Sequence, residues 1–228
     1  PVDYTRGMKA AWLPAAWFAL CLGLSAAAAP VYSIHFEMDP KRPGWLAQLK
    51  GEATRAKELG YTHIILIQRA AYRLDMGAGT KGGATPAELK ELIRHIGDTL
   101  DLEPIIELKM FGKQGLTLGD LIEKYPGITY KGKTAGWMAD VLNPQFRLPD
   151  GRGVYEGVSW PLIDELLSFY GKKKAKYFHI GWDELDKDGL EQAARAENLA
   201  PPSLWAREFN RVTGHLIRKG ITPLAYGD

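Results

Sequence analysis

Cysteine is all but missing from this chain. The single one, Cys21, lies in an apolar N-terminal stretch, so the residues after it can form no disulfide and offer no thiol nucleophile. An excess of charge of one sign is missing too: 29 basic and 27 acidic residues leave a net charge of +2, which gives no electrostatic footprint for nucleic acid. The densest basic run, Lys172, Lys173, Lys174 and Lys176, reads as a solvated helix end, where cations suit the helix dipole. The five histidines are scattered with no His-Glu-x-x-His pair, so no metal is expected, and no other cofactor is implied. No Gly-rich turn follows the first strand pattern to hold a dinucleotide, and Gly77 to Gly83 lacks the order of a phosphate loop.

The N-terminal segment carries its own pattern. A basic start at Met8-Lys9, an apolar stretch from Ala10 to Leu24 and small residues from Ser25 to Ala29 predict a secretory signal peptide over residues 8–29. The apolar part is interrupted by Pro14 and falls short of the ~20 residues that span a bilayer, so no membrane association is expected after cleavage. Residues 1–7 precede the first plausible initiator and read as upstream translation. The expected location is therefore exported, periplasmic or extracellular, in a bacterial cell. The chain stops abruptly after Leu224 to Asp228, a strand and its exit, which suggests a reading frame that was cut.

From residue 30 onward, short apolar runs alternate with amphipathic segments. Strands are predicted at Val31–Glu37, Thr62–Ile67, Pro104–Lys109, Lys176–Gly181 and Ile221–Tyr226. Between them, helical spacing appears in Trp45–Leu59, from Thr85 to Leu100, in Leu118–Lys124, in Trp160–Tyr170 and in Ser203–Lys219. Thr85-Pro86-Ala87-Glu88 has the makings of a capping box, and Gly60 suits the position just past a helix end. Such alternation indicates an α/β protein with a parallel sheet, and the polar residues collect at strand ends, where barrel enzymes keep their sites. The expected fold is a (β/α)8 TIM-type barrel. A complete one typically needs ~250 residues, and residues 30–228 hold only its first five strand–helix units.

The most informative stretch is Tyr177-Phe-His-Ile-Gly-Trp-Asp-Glu-Leu185, in which a short apolar run delivers the adjacent carboxylates Asp183 and Glu184 to a strand exit. His179-x-Gly181-x-Asp183-Glu184 resembles the His-x-Gly-Gly-Asp-Glu signature of glycoside hydrolase family 20, the β-N-acetylhexosaminidases. Glu107-Leu-Lys-Met-Phe-Gly-Lys113 stands where that family has Glu-Ile-Asp-Met-Pro-Gly-His, and Phe111-Gly112 with Leu142-Asn143-Pro144 is similar to the hexosaminidase D branch. The resemblance implies an exo-acting hydrolase that removes N-acetylhexosamine from an oligosaccharide or polysaccharide by a retaining mechanism in which the 2-acetamido group is the nucleophile, an exception to the two-carboxylate scheme. Carried over, Glu184 would be the general acid and base, and Asp183 would orient the acetamido group and stabilise the oxazolinium cation. His179, Trp182, Tyr226 and Asp228 would line the substrate site.

Several residues depart from the family pattern. Its Asp and His in the third-strand element are Lys109 and Lys113 here, a small residue is replaced by Trp182, a Trp by Tyr226, and the second-strand exit is Gln68-Arg69-Ala70. If the two ammonium groups reach the pocket, they damage acid catalysis by favouring ionised carboxylates, or else serve an anionic sugar. Trp182 is either a sugar-stacking platform or a plug, and His179 either supports the carboxylates or is a satisfied core histidine. Asp183-Glu184 has a plainer alternative as the start of a helix. Two further functions stay open: a non-catalytic carbohydrate-binding barrel, and a barrel hydrolase acting on another, possibly anionic polysaccharide with Glu37 or Glu107 as its second carboxylate.

Overall fold

The structure is a computed structural model that describes residues 32–67, 77–78, 82–130, 141–183 and 187–226. The expected upstream segment, the signal peptide and the second-strand exit Gln68-Arg69-Ala70 lie outside the described residues. Five strands form one parallel sheet: β1 Ser33–Glu37, β2 His63–Ile67, β3 Glu103–Glu107, β4 Tyr177–His179 and β5 Thr222–Leu224. Their spatial order is their chain order, β1-β2-β3-β4-β5. A doubly wound sheet reverses its strand order at a switch point; an unbroken sequential order, each crossover turning the same way, is the arrangement of a barrel wall.

Seven α-helices accompany the sheet among the described residues: α1 Trp45–Glu58, α2 Pro86–Arg94, α3 Gln114–Thr117, α4 Asp120–Lys124, α5 Trp160–Ser168, α6 Lys187–Ala196 and α7 Pro201–Arg218. α1 buries Trp45, Leu49, Ala53 and Ala56, one helical stripe, and Gly60 takes φ +85° just past its end. α2 opens on the predicted capping box: the Glu88 amide donates to Thr85 Oγ1 at 3.3 Å and the Thr85 amide to Glu88 Oε2 at 2.8 Å. Where the sequence predicts one helix as far as Leu100, the α-helix stops at Arg94 and widens into a π-helical turn over His95–Thr99. That turn brings the Asp98 carboxylate to the Lys173 amide at 3.1 Å, so a tertiary contact decides its geometry. The helix predicted at Leu118–Lys124 is α4, which starts two residues later at Asp120 because Gly119, with φ +48°, separates it from the unpredicted short helix α3.

The two faces of the sheet differ in kind. Phe36, Ile64, Leu66, Ile106 and Phe178 point into the core under the helices. Ser33, His63, Ile65, Ile105, Tyr177 and Leu224 line a cavity of about 200 Å³ on the other face. A helix-covered sheet would be apolar on both sides. Serine, histidine and tyrosine on the second side suit the interior of a barrel. One register row, Glu37, Ile67, Glu107, His179 and Leu224, crosses all five strands at their C-terminal ends.

A buried acid clamps α7 to the segment before α5. Glu208, on α7, is 0% exposed; it accepts the Tyr155 hydroxyl at 2.7 Å and Arg207 Nε at 2.6 Å, and Arg211 Nε lies 3.5 Å away. Arg207 also reaches Glu197 at 2.9 Å. Burial, then the neighbouring Glu208 charge, pushes the Tyr155 hydroxyl well above its ordinary pKa, so it stays a donor.

Two outcomes follow from this packing. Tyr155→Phe removes one donor from a wholly buried carboxylate and is expected to cost about 1–3 kcal/mol, read as a lower denaturant midpoint at unchanged slope; a loss under a few tenths would show that the network does not need the hydroxyl. His63, His95, His179 and His215 all have pKa values lowered, in each case first by burial. Their folded values lie below the unfolded value near 6.5, so the stability tied to their neutral form is complete above about pH 6.5 and is lost as pH falls through that value. The thermal midpoint should therefore drop between pH 7 and pH 5, and a flat profile would contradict it.

Candidate active site

Backbone pairing between β3 and β4 continues past both strands and builds one end of the site. The Leu108 amide donates to the His179 carbonyl at 2.9 Å and the Met110 amide to the Ile180 carbonyl at 3.1 Å. Lys109 is thereby pressed against Gly181, where a Cβ would stand 2.5 Å from Lys109 Cδ and 3.3 Å from its Cα. Gly181 has φ +70°, so both the backbone conformation and the close approach favour glycine there. The next residue, Trp182, also takes a left-handed φ of +74°, uncommon for a bulky side chain. β5 is stitched to the same turn by Ile180 N to Leu224 O at 2.8 Å and Tyr226 N to Gly181 O at 3.1 Å.

The turn presents Asp183 to two lysines. Lys109 Nζ donates to Asp183 Oδ1 at 2.6 Å and Lys113 Nζ to Oδ2 at 2.7 Å, so each carboxylate oxygen takes one ammonium. Lys109 Nζ also lies 2.7 Å from Glu107 Oε1, close enough for an ion pair although not aligned as a hydrogen bond, and 4.6 Å from the centre of the Tyr226 ring. The Tyr226 hydroxyl donates to the other oxygen of Glu107 at 2.6 Å. Side-chain exposure is 8% for each lysine, 14% for Asp183 and 1% for Glu107. Buried ions at these distances are tolerable only in mutual compensation, and the quartet of two cations and two anions sums to zero. Burial alone would raise the Asp183 pKa, but the hydrogen bonds and charges of Lys109 and Lys113 together outweigh it and hold the carboxyl below its usual range.

His179 completes the cluster as a neutral ring. The Gly181 amide donates to its Nδ1 at 3.2 Å, which places the proton on Nε2 and makes the 3.5 Å approach of Nδ1 to Glu107 a proximity rather than a bond. Burial first, with Lys109 and His35 adding to it, lowers its pKa against the opposing pull of Glu107 and Asp183. Its ring meets Tyr226 edge to face at 4.4 Å. Beside the exit of β1, a second cavity of about 250 Å³ is lined by Glu37, Asp39, Arg42 and Glu52 together with the apolar Phe36, Trp45 and Leu49.

Of the residues singled out in the sequence, Asp183, His179 and Tyr226 come together here, and the lysines that break the family pattern come with them. Glu184 and Asp228 lie outside the described residues. Trp182 does not offer a face to substrate: its indole is 5% exposed, stacked on Phe111 at 5.3 Å and met edge-on by Phe209 and Trp205. The left-handed backbone turns the ring into the helix layer, so it is the plug rather than the platform. The helix-start alternative for Asp183 turns on residues 184–186, which lie outside the described residues; α6 is described from Lys187 onward. Glu107 is fully buried, with one oxygen bonded to the Tyr226 hydroxyl and the other facing the Lys109 ammonium group, a poor candidate for a second catalytic carboxylate. Unforeseen were Gln114 and Thr117, which donate to the Lys109 carbonyl at 2.7 Å each. Only the polarity of two residues in an otherwise apolar stretch could have flagged them. Among the described residues no group of three metal-ligating side chains occurs, and no helix is long and apolar enough to cross a membrane.

No protein-family model and no curated protein sequence matches the chain. Solved structures do. A β-N-acetylhexosaminidase superposes with a TM-score of 0.64 at 18% identity over 87% of this chain and 47% of its own. A family 20 catalytic module of the pneumococcal exo-β-D-N-acetylglucosaminidase StrH gives 0.60 at 19% over 88% and 53%. The family 20 exo-β-N-acetylglucosaminidase of Vibrio harveyi gives 0.62 at 15% over 86% and 35%. The chain thus spans about a third to a half of the length of these proteins, and over that span it has the α/β barrel fold of the family 20 β-N-acetylhexosaminidases.

Proposed function

We propose that the chain is catalytic-barrel sequence of an exported, exo-acting glycoside hydrolase that removes N-acetylhexosamine by substrate-assisted, retaining catalysis. The observation that carries this reading is an ionised carboxylate, Asp183, held at the C-terminal end of β4 on a fold shared with β-N-acetylhexosaminidases. In this scheme the acetamido oxygen attacks the anomeric carbon while Glu184 protonates the departing glycosidic oxygen. Water assisted by the same Glu184 then opens the oxazolinium ring. Asp183 accepts the acetamido N–H and faces the developing cation, an interaction stronger in the transition state than before it. Tyr226 supports Glu107 by its hydrogen bond, His179 packs against the Tyr226 ring, and the cavity beside β1, with charged and aromatic lining, suits a sugar.

The lysines modify this scheme. A carboxylate already paired with two ammonium groups stabilises an adjacent cation less than an unpaired one does, because their fields largely cancel at the distance of the substrate. Low turnover of neutral acetamido sugars is the consequence. The same pairing favours, as second reading, a barrel that binds carbohydrate without cleaving it.

Hydrolysis of a chromogenic N-acetyl-β-glucosaminide decides between them. Glu184→Gln and Asp183→Asn are each expected to lower kcat by about 100-fold or more; a folded wild-type protein that cleaves none of a panel of acetamido sugars supports the binding reading. The pH profile provides a separate check. Because the lysines hold the Asp183 pKa down, Lys113→Met should let it rise toward the ordinary aspartate value near 3.9 and move the acidic limb of kcat/KM to higher pH. An unmoved limb would mean that Asp183 ionisation does not govern the rate.

A further inference from the structure

We propose that Lys109 and Lys113 form a seat for an oxyanion carried by the sugar ligand, a carboxylate or sulfate, and that Asp183 occupies this seat in the ligand-free protein. The inference rests on reading this end of the sheet as a carbohydrate site and adds the charge class of the carbohydrate. Two ammonium groups, each 8% exposed, converge on one carboxylate with one oxygen apiece, at 2.6 and 2.7 Å. Cations brought this close out of water repel unless an anion bridges them, so the point between them is an anion position by construction.

The two partners of that contact are held very differently. Lys109 is fixed without reference to Asp183: the carbonyl of its own residue accepts from Gln114 and Thr117, both buried, while Glu107 and the Tyr226 ring flank its ammonium group. Asp183 follows two consecutive left-handed residues, Gly181 and Trp182, and is the most exposed member of the quartet. A ligand carboxylate or sulfate presents oxygens spaced much as those of Asp183 and can replace it between the two ammonium groups, so that the lysines keep an anionic partner. The displaced Asp183 carboxylate is then released from both lysines and regains its full charge toward the substrate. An acidic sugar thereby removes the obstacle that a neutral one meets.

The test is calorimetric titration of the protein with sodium sulfate and with glucuronate at fixed ionic strength, glucose serving as the neutral control. Asp183→Asn keeps the shape and removes the internal competitor, so it is expected to bind one of the two anions at least tenfold more tightly than wild type, with the gain abolished in Asp183→Asn/Lys113→Met. Preference for sulfate assigns a sulfated sugar and preference for glucuronate a uronate. Folded Asp183→Asn that binds neither anion more tightly than wild type overturns the proposal. Should that variant not fold, wild type decides: a saturable site for either anion that is lost in Lys113→Met upholds it, and no such site overturns it. Hydrolysis is not measured, so failure here leaves the proposed glycosidase activity to its own assay.

Discussion

Compensation of buried charge is the constraint on which this end of the molecule depends. Asp183 bridges Lys109 and Lys113, and Lys109 in turn meets Glu107, which takes the Tyr226 hydroxyl. The chain of contacts ties together the exits of β3, β4 and β5. Removing any one ion leaves an opposite charge buried without its partner, so the quartet behaves as a unit rather than as separable pairs. Its geometry also sets its chemistry: a carboxylate kept ionised by two cations is well oriented but electrostatically spent.

The rest of the fold explains how that quartet is held. Trp182, the residue before Asp183, is anchored by its packing between Phe111 and Phe209, and Phe209 lies on α7. α7 is in turn fastened by buried Glu208 to Tyr155. The path from Tyr155 to Trp182 runs through Glu208 and its chain neighbour Phe209 on α7. Gly181 permits the close approach of Lys109 that lets its ammonium group reach two carboxylates. A helix-layer aromatic cluster and a glycine with no room for a methyl group thus position an ion pair that neither of them touches through charge.

Much of the architecture could be read from residue order. Every predicted strand is present to within a few residues, because continuous apolar runs such as Ile64-Ile65-Leu66 bounded by turn residues have few other ways to be buried. The Thr85 capping box and the Gly60 terminus are local chemistry and appear as expected. The π-helical turns at His95–Thr99 and Tyr155–Ser159 are not local in that sense: each carries a long-range contact, Asp98 with the Lys173 amide and Tyr155 with Glu208.

The candidate site divides in the same way. By itself, the sequence determined that carboxylates stand at the exit of a parallel strand, with a glycine two residues before Asp183, and that lysines stand two and six residues after Glu107, where the family it resembles has acidic and imidazole groups. What those lysines touch was undetermined, because Lys109 and Lys113 are 74 and 70 residues from Asp183 and no spacing rule reaches that far. Only the tertiary structure decided it, through parallel pairing that sets β3 beside β4 in a fixed register. The same register sends Trp182 into the helix layer and leaves Asp183 between two cations, since a left-handed turn reverses the alternation on which sequence reasoning relies.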